Sequence, residues 1–221
     1  MTKLILAYAI VICVFPTQEM FAQNRLTYKL NQLAKSEGIQ VFNREMALIS
    51  EAGYEGIRLN PDLGEGVAWI KGVDFSNGTI EVDVRGKNEK QRSFVGVAFH
   101  GKGNSTYDAI YLRPFQFLEM NEELKKRSVQ YVSLPDHPWR SLRENYPGKY
   151  ESALNTPADP DGWVHVKIVI EAKTVSTFIN GASQPCLVIE KVTGTKNGLV
   201  GFYVADVSGG DFANLTITKS N

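Results

Sequence analysis

The feature that most constrains the fold of this chain is an alternation of apolar and polar residues that recurs in about a dozen short segments. In residues 78–86, Ile80, Val82 and Val84 alternate with charged residues. Successive side chains of a strand point to opposite faces, so each such segment has one apolar face and one polar face. Gly, Asn and Asp turns separate the segments. The chain is therefore predicted to be all-β.

The arrangement of these strands follows from what lies between them. No run of helices alternates with the strands, which excludes a parallel sheet built through helical crossovers. Two antiparallel sheets packed face to face would bury the apolar face of every strand, so we predict a jelly-roll sandwich. A stretch with many prolines in and beside it, residues 136–161, interrupts the pattern, and residues 139–146 within it are predicted to form a short helical insertion.

The N-terminus has the pattern of an export signal. Lys3 precedes an apolar run over residues 4–15, and Ala22 offers a small residue at a cleavage position. The run is shorter than the ~20 residues that a membrane-spanning helix needs. We therefore predict a signal peptide over residues 1–22 and a mature protein that is secreted or periplasmic, with no membrane partner.

Two further segments follow the predicted signal. Residues 23–37 are interpreted as a short helix or a linker, because Leu26, Leu30 and Leu33 have helical spacing. Residues 38–221 are predicted to form one domain.

Charge and cysteine content limit the partners and the chemistry. The chain has 24 Lys and Arg residues and 24 Asp and Glu residues. A balanced charge argues against nucleic acid as a partner, because phosphate binding needs a basic excess. Of the two cysteines, Cys186 alone lies after the predicted signal, so an intramolecular disulfide is excluded for the mature chain. Cys186 is predicted to be a buried small apolar residue.

Several stretches together resemble a known superfamily: GVAWIKGVDFSNGTIEVDVRG, FVGVAFHG, YDAIYLRPF, VQYVS, GWVHVKIVI, VSTFING and GLVGFYVADVSGGDFANLTI. Over residues 39–219 the chain resembles the concanavalin A-like lectin/glucanase superfamily. Within it, the chain is similar to laminin G-like modules and to the secreted bacterial domain named 3-keto-disaccharide hydrolase, or glycoside hydrolase family 16-like. The resemblance implies two curved sheets whose concave face commonly binds glycans. Such folds host lectins, hydrolases and non-catalytic modules alike.

Glu81 and Asp83 are the candidate catalytic residues. Cleaving a glycosidic bond takes two carboxyl groups, and these two share one face of a strand about 7 Å apart. The glucanases of this superfamily carry a Glu-x-Asp-x-x-Glu strand, whereas Arg85 and Lys87 stand here where further carboxylates would be sought. Two interpretations remain open: a catalytic pair, or solvated polar residues on an outer face.

A second set of residues is predicted to bind ligand. Tyr111 and Arg113 should project from one face of a strand, beside His100 and the small residues Gly96 and Ala98 of the preceding strand. Aromatic rings offer flat apolar surfaces for sugars, and arginine and amide groups supply hydrogen-bond donors. The predicted ligand-binding residues are His100, Tyr111, Arg113, Gln130, Trp139, Arg140 and Arg143. If the site is real, these residues and the Glu81/Asp83 pair should converge on one groove.

Structural alternatives exist for these residues. Trp139 could equally fill one end of the core, and Arg113 could pair with Glu81 or Asp83 across strands. Asp211 and Asn214 offer oxygen ligands for calcium, but no calcium-binding loop motif surrounds them. No cofactor or metal is therefore predicted.

The function predicted from the sequence is that of a secreted carbohydrate-directed module, with glycan binding on the concave face. Two alternatives remain: a glycoside hydrolase acting on a di- or polysaccharide, and a laminin G-like protein-interaction module. Whether the protein is an enzyme is left open.

Overall fold

The computed structural model describes residues 24–51 and 53–220, so the predicted signal peptide lies outside the described residues. The described chain is built mainly from strands. In chain order its elements are β1 (Asn24–Tyr28), α1 (Leu30–Lys35), β2 (Ile39–Phe42), β3 (Met46–Glu51), β4 (Tyr54–Leu59), β5 (Gly66–Ile70), β6 (Gly78–Arg85), β7 (Val95–Gly101), β8 (Tyr107–Leu112), a 3₁₀ turn (Pro114–Gln116), α2 (Glu122–Lys125), β9 (Val129–Leu134), α3 (Trp139–Asn145), β10 (Glu151–Ser152), β11 (Val164–Ile170), β12 (Thr174–Ile179), β13 (Leu187–Glu190), β14 (Leu199–Val204) and β15 (Gly210–Lys219).

The strands form two antiparallel sheets that pack as a sandwich. The eight-stranded sheet has the order β13-β12-β11-β6-β15-β4-β3, and β1 pairs with β15 beside this path. The seven-stranded sheet has the order β10-β9-β8-β7-β14-β5-β2. The predicted all-β jelly-roll sandwich is confirmed.

The alternation that predicted the strands also predicts their faces. Along β6, Ile80, Val82 and Val84 are fully buried in the core, whereas the residues between them are half-buried on the outer face. β11 repeats this pattern in register with β6. Apolar burial between the sheets is the main stabilising contribution to such a domain.

The seven-stranded sheet differs because both of its faces are covered. Every residue of β7 and β8 is buried. One face packs into the core between the sheets, and the other bears a second apolar cluster. This outer cluster consists of Val67, Trp69, Ala98, Tyr107, Ala109, Tyr111, Val132, Tyr203 and Ala205. The outer face of the seven-stranded sheet is therefore rich in aromatic side chains that a ligand could contact.

The interpretation of residues 23–37 as one helix or linker is wrong for its first half. Residues 24–28 form β1, which pairs with the C-terminal half of β15, and Leu26 is exposed. Only Leu30 and Leu33 lie on a helix, α1, where Leu30 is fully buried. The pairing partner of β1 is nearly 200 positions away (Asn24 opposite Lys219), and such long-range pairing overrides local helical spacing.

The predicted helical insertion is confirmed as α3, which follows β9. Leu142 anchors α3 to the core with its buried side chain. Trp139 and Arg143 of α3 line a cavity at the outer face of the seven-stranded sheet.

Candidate functional site

A cavity of about 530 Å³ lies at one end of the outer face of the seven-stranded sheet. We call it the sheet cavity. Strand ends, their loops and α3 enclose it, and its lining residues are Gly64, Glu65, Gln91, Phe94, Tyr111, Arg113, Phe115, Gln116, Arg127, Trp139, Arg143, Tyr203, Ala205 and Asp206. Its volume is within the range that binding sites for small molecules occupy.

The floor of the sheet cavity is aromatic because of a glycine. Gly96 on β7 lies directly between Tyr111 of β8 and Tyr203 of β14 in the strand register. With no side chain between them, the two tyrosine rings approach to a centroid separation of 5.6 Å. Phe94 meets Tyr111 edge to face at 6.1 Å. Burial raises the pKa of Tyr111 to about 12, so its hydroxyl stays protonated at neutral pH.

Arg113 places a positive charge beside this floor. Its side chain is buried, and the residue is only 5% exposed. Nη1 donates to the carbonyl of Arg127 at 2.7 Å, and Nη2 donates to the hydroxyl of Tyr111 at 2.8 Å and to Oε1 of Gln130 at 3.2 Å. All three acceptors are neutral. Burial lowers the pKa of the Arg113 guanidinium from its ordinary value, which reflects the cost of holding this charge away from water.

Gln130 accepts a hydrogen bond from Arg113 and does not itself line the sheet cavity. Its Nε2 donates to the carbonyls of Tyr131 and Tyr150 at 2.8 and 3.0 Å, which leaves Oε1 directed at the guanidinium. As the alternation predicts, Gln130 and Tyr131 face opposite sides of β9, and Tyr131 packs in the core.

Helix α3 forms a second wall. Trp139 is 40% exposed and lines the sheet cavity, so the alternative that it fills the core is wrong. The guanidiniums of Arg140 and Arg143 lie over its ring, at 5.3 and 4.9 Å from the centroid. Nε of Arg143 donates to both carboxylate oxygens of Glu151 at 3.0 Å. That ion pair ties the helix to β10.

The opposite rim is acidic. Glu65 and Asp206 lie on two different loops. The buried Arg44 connects these loops, because its guanidinium donates to the backbone carbonyls of Gly64 and Asp206 at 2.7 and 2.8 Å. Glu65 as a whole residue is exposed to solvent. Its carboxyl group is nevertheless partly shielded from water by the surrounding protein, and this desolvation raises the pKa of the carboxyl.

Four of the predicted ligand-binding residues come together in the sheet cavity: Tyr111, Arg113, Trp139 and Arg143. Gln130 contacts Arg113 from behind, and Arg140 stacks on Trp139 without lining the cavity.

His100 is the exception among the predicted ligand-binding residues. The alternation predicts it on the same face as Gly96 and Ala98, but the β7–β14 register shifts beside it, and its backbone is left-handed with φ of 54°. This β-bulge buries the ring completely, where Nε2 contacts the carbonyl of Ser76 at 2.7 Å. His100 lines a separate cavity of about 120 Å³.

Glu81 and Asp83 do not join the sheet cavity either. They lie on the outer face of the eight-stranded sheet, because β6 belongs to that sheet while β8 belongs to the other. The expectation that all candidates share one groove is wrong, and so is the proposed pairing of Arg113 with either carboxylate.

Asp83 instead belongs to a polar network on its own sheet. Its carboxylate oxygens contact Nδ1 of His165 and Nδ2 of Asn214, each at 2.7 Å. Nε2 of His165 lies 3.7 Å from Glu81. The hydrogen bond with Asp83 raises the pKa of His165 above its ordinary value, although partial burial opposes this.

The carboxylate of Asp211 is likewise occupied by protein side chains. Burial would raise the pKa of Asp211, but hydrogen bonds from Arg58 and Arg85 outweigh it and lower the pKa. Both carboxylate oxygens of Asp211 accept hydrogen bonds from arginines, and Asn214 donates its Nδ2 to Asp83. Among residues 24–51 and 53–220, no cluster of three or more His, Cys, Asp or Glu side chains could hold a metal ion.

Sequence reasoning missed several lining residues, namely Glu65, Phe94, Arg127, Tyr203 and Asp206. Tyr203 could have been found, because it alternates with the core residue Phe202 in a clear strand pattern. The others lie on loops, whose position depends on distant contacts.

No family model matches the chain, and a search of curated proteins gave no match. Solved structures share its fold. The carbohydrate-binding module CBM66 from Bacillus subtilis is 14% identical, with 83% of this chain and 92% of that chain covered and a TM-score of 0.54. A protein of unknown function with a galectin-like fold from Bacillus subtilis is 14% identical, with coverage of 88% and 94% and a TM-score of 0.57. The exoplasmic/lumenal domain of VIP36 in its Ca²⁺/Man3GlcNAc-bound form is 11% identical, with coverage of 88% and 88% and a TM-score of 0.56.

These similarities show that the chain has a lectin-like β-sandwich fold. Within the described residues, no helix combines the length and apolar character needed to cross a membrane.

Proposed function

We propose that this protein is an exported carbohydrate-directed module that binds a glycan in the sheet cavity. The observation that carries the proposal is the combination found there: aromatic surfaces from Phe94, Tyr111, Tyr203 and Trp139, with arginine donors on one side and carboxylate acceptors on the other. Sugars need both, because their ring faces are apolar and their hydroxyl groups need hydrogen-bond partners. The predicted signal peptide supports a secreted or periplasmic location.

The similar structures support this proposal at the level of the fold. One is named as a carbohydrate-binding module, and another was solved with Man3GlcNAc bound. Because folds of this type host several functions, the argument for binding rests on the sheet cavity itself.

The proposal is tested by screening soluble oligosaccharides while recording tryptophan fluorescence. A ligand that stacks on Trp139 should change its emission, since this ring is 40% exposed at the cavity. Trp139→Ala should abolish binding. Tyr146→Ala is the matched control, because Tyr146 is an exposed aromatic next to α3 that does not line the cavity. Absence of binding across neutral and acidic oligosaccharides would contradict the proposal.

A second candidate function is glycoside hydrolysis at the same cavity, including the hydrolase activity named in the sequence resemblance. Glu65 is the observation that favours it, because its raised pKa suits a general acid and Asp206 provides a second carboxylate on the same rim. Glu65→Gln should abolish product release from any oligosaccharide that is cleaved, while its binding persists. Binding without release of reducing ends by the unmodified protein would exclude this function for the oligosaccharide tested.

A further inference from the structure

The charge of Arg113 has no negative partner in the described chain. Arg113 is only 5% exposed, and an arginine buried to this extent usually pairs with a carboxylate, since burying an unpaired charge is unfavourable. No carboxylate of residues 24–51 and 53–220 lies within 4.0 Å of it. Its three hydrogen bonds to neutral oxygens occupy three of the five guanidinium N–H groups. Two guanidinium N–H groups therefore have no acceptor among the residues that the structure describes.

Other arginines increase the positive charge on this side of the sheet cavity. Arg127 lines the wall half-buried and, like Arg113, forms no ion pair with any residue that the structure describes. Arg143 also lines the cavity, but Glu151 neutralises it. Two unpaired guanidiniums thus face one end of the cavity.

The acidic residues of the cavity do not neutralise this end. Glu65 precedes β5, and β5 lies three strands from β8 in the sheet order β8-β7-β14-β5. At about 4.8 Å between neighbouring strands, this offset is about 14 Å. Asp206 follows β14 on the same far side. The sheet cavity therefore has a basic end and an acidic end.

We infer that the glycan bound in the sheet cavity carries an anionic group, a carboxylate or a sulfate, which Arg113 and Arg127 bind. This inference rests on the proposed function and specifies its ligand class. The anion accepts the N–H groups of Arg113 that have no protein acceptor, and it neutralises the buried charge. The neutral hydroxyl groups of the sugar then face Glu65 and Asp206, whose carboxylates accept hydrogen bonds.

Matched pairs of oligosaccharides test this inference by calorimetry. One pair is tetragalacturonate and its fully methyl-esterified form, and the other is a sulfated chondroitin tetrasaccharide and its desulfated form. We expect at least one acidic member to bind about tenfold or more tightly than its neutral counterpart, in line with a charge-assisted hydrogen bond. The pair that shows the preference identifies the anion as carboxylate or sulfate. Added salt should weaken the acidic member selectively.

Variants connect the preference to the two arginines. Arg113→Gln should remove the preference for the acidic member, and Arg113→Lys should restore part of it, because lysine keeps the charge without the planar fork. Arg127→Gln, at a half-buried position, should reduce the preference and serves if Arg113→Gln does not fold. Arg25→Gln is the matched control, since Arg25 is exposed on β1 of the eight-stranded sheet and does not line the cavity, and it should leave the preference intact.

Three results would overturn the inference, and they differ in whether the proposed function still stands. If neutral oligosaccharides bind as tightly as their acidic counterparts, or if Arg127→Gln leaves an acidic preference unchanged, the inference fails while the proposed function stands. If neither acidic nor neutral oligosaccharides bind, both fail.

Discussion

Arg143 and Glu151 form a bidentate ion pair, in which Nε of Arg143 lies 3.0 Å from each carboxylate oxygen. Both side chains are largely buried. The pair joins α3 to β10 and so fixes the helix that presents Trp139 to the sheet cavity. A wall of the candidate site therefore depends on Glu151, a residue that does not line the sheet cavity.

Glu151→Gln should lower both stability and glycan affinity. The substitution leaves Arg143 without its counter-charge, so we expect the free energy of unfolding to fall by about 1.5–3 kcal/mol. Urea denaturation measures the loss, and calorimetry measures the weakened binding. Glu122→Gln, which breaks an exposed pair with Lys125, is the control and should change neither quantity. Equal stability of the Glu151 and Glu122 variants would show that the buried pair is not needed to hold α3.

Gly96→Ala should disturb the aromatic floor. A Cβ at this position would lie 2.0 Å from the carbonyl oxygen of Ile110 and 2.5 Å from Cα of Tyr111, so β7 and β8 must separate. We expect a loss of about 1–3 kcal/mol in the free energy of unfolding, together with weaker glycan binding. At Gly194 an added Cβ meets nothing within 4 Å, so Gly194→Ala is the control. A Gly96→Ala variant with unchanged stability would contradict the packing described here.

The network around Asp83 predicts a pH dependence of stability. Because Asp83 raises the pKa of His165 in the folded protein, the pair contributes stability that is fully present below the unfolded pKa of about 6.5 and is lost as the pH rises through the folded pKa. Asp83→Asn should therefore cost more stability at pH 5.5 than at pH 8.5.

Titration of His165 by NMR checks the same prediction directly. The pKa of His165 should fall in Asp83→Asn and change less in Glu81→Gln, because Glu81 lies 3.7 Å away rather than 2.7 Å. A His165 pKa that is insensitive to Asp83→Asn would refute the coupling.

Cys186 should be unreactive in the folded protein. Burial raises the pKa of its thiol to about 11, and Sγ donates to the carbonyl of Thr177 at 3.4 Å. Since the thiolate is the reactive form, an aromatic disulfide reagent at pH 8 should modify Cys186 slowly in buffer and rapidly in concentrated urea. Equal rates in the two conditions would show that the thiol is accessible.

The sequence predicts which side chains of a strand enter the core better than it predicts which strands pair with each other. The alternation in β6 and β11 identifies which side chains enter the core, because it depends on each strand alone. It does not reveal that β6 and β8 lie in different sheets, since that depends on pairings distant in the sequence. For this reason the sequence pattern cannot separate Glu81 and Asp83 from Arg113, although they lie on different sheets of the sandwich.

The β-bulge at His100 and the loops that carry Glu65 and Asp206 are the other features that the sequence does not predict. A β-bulge rotates His100 out of the alternation, and nothing in a period-two pattern signals it. Glu65 and Asp206 reach the cavity on loops that Arg44 holds through backbone carbonyls. The contact between Arg44 and Asp206 joins residues 162 positions apart, and a local pattern in the sequence cannot predict it.

The most direct test of this account is NMR mapping of the acidic oligosaccharide that binds in the calorimetric screen. If the sheet cavity is the glycan-binding site, chemical shifts should change at the Trp139 indole, at Tyr111 and Tyr203, and at the Arg113 side chain, and should stay constant at Asp83 and His165. Changes confined to the outer face of the eight-stranded sheet, around Asp83 and His165, would contradict it.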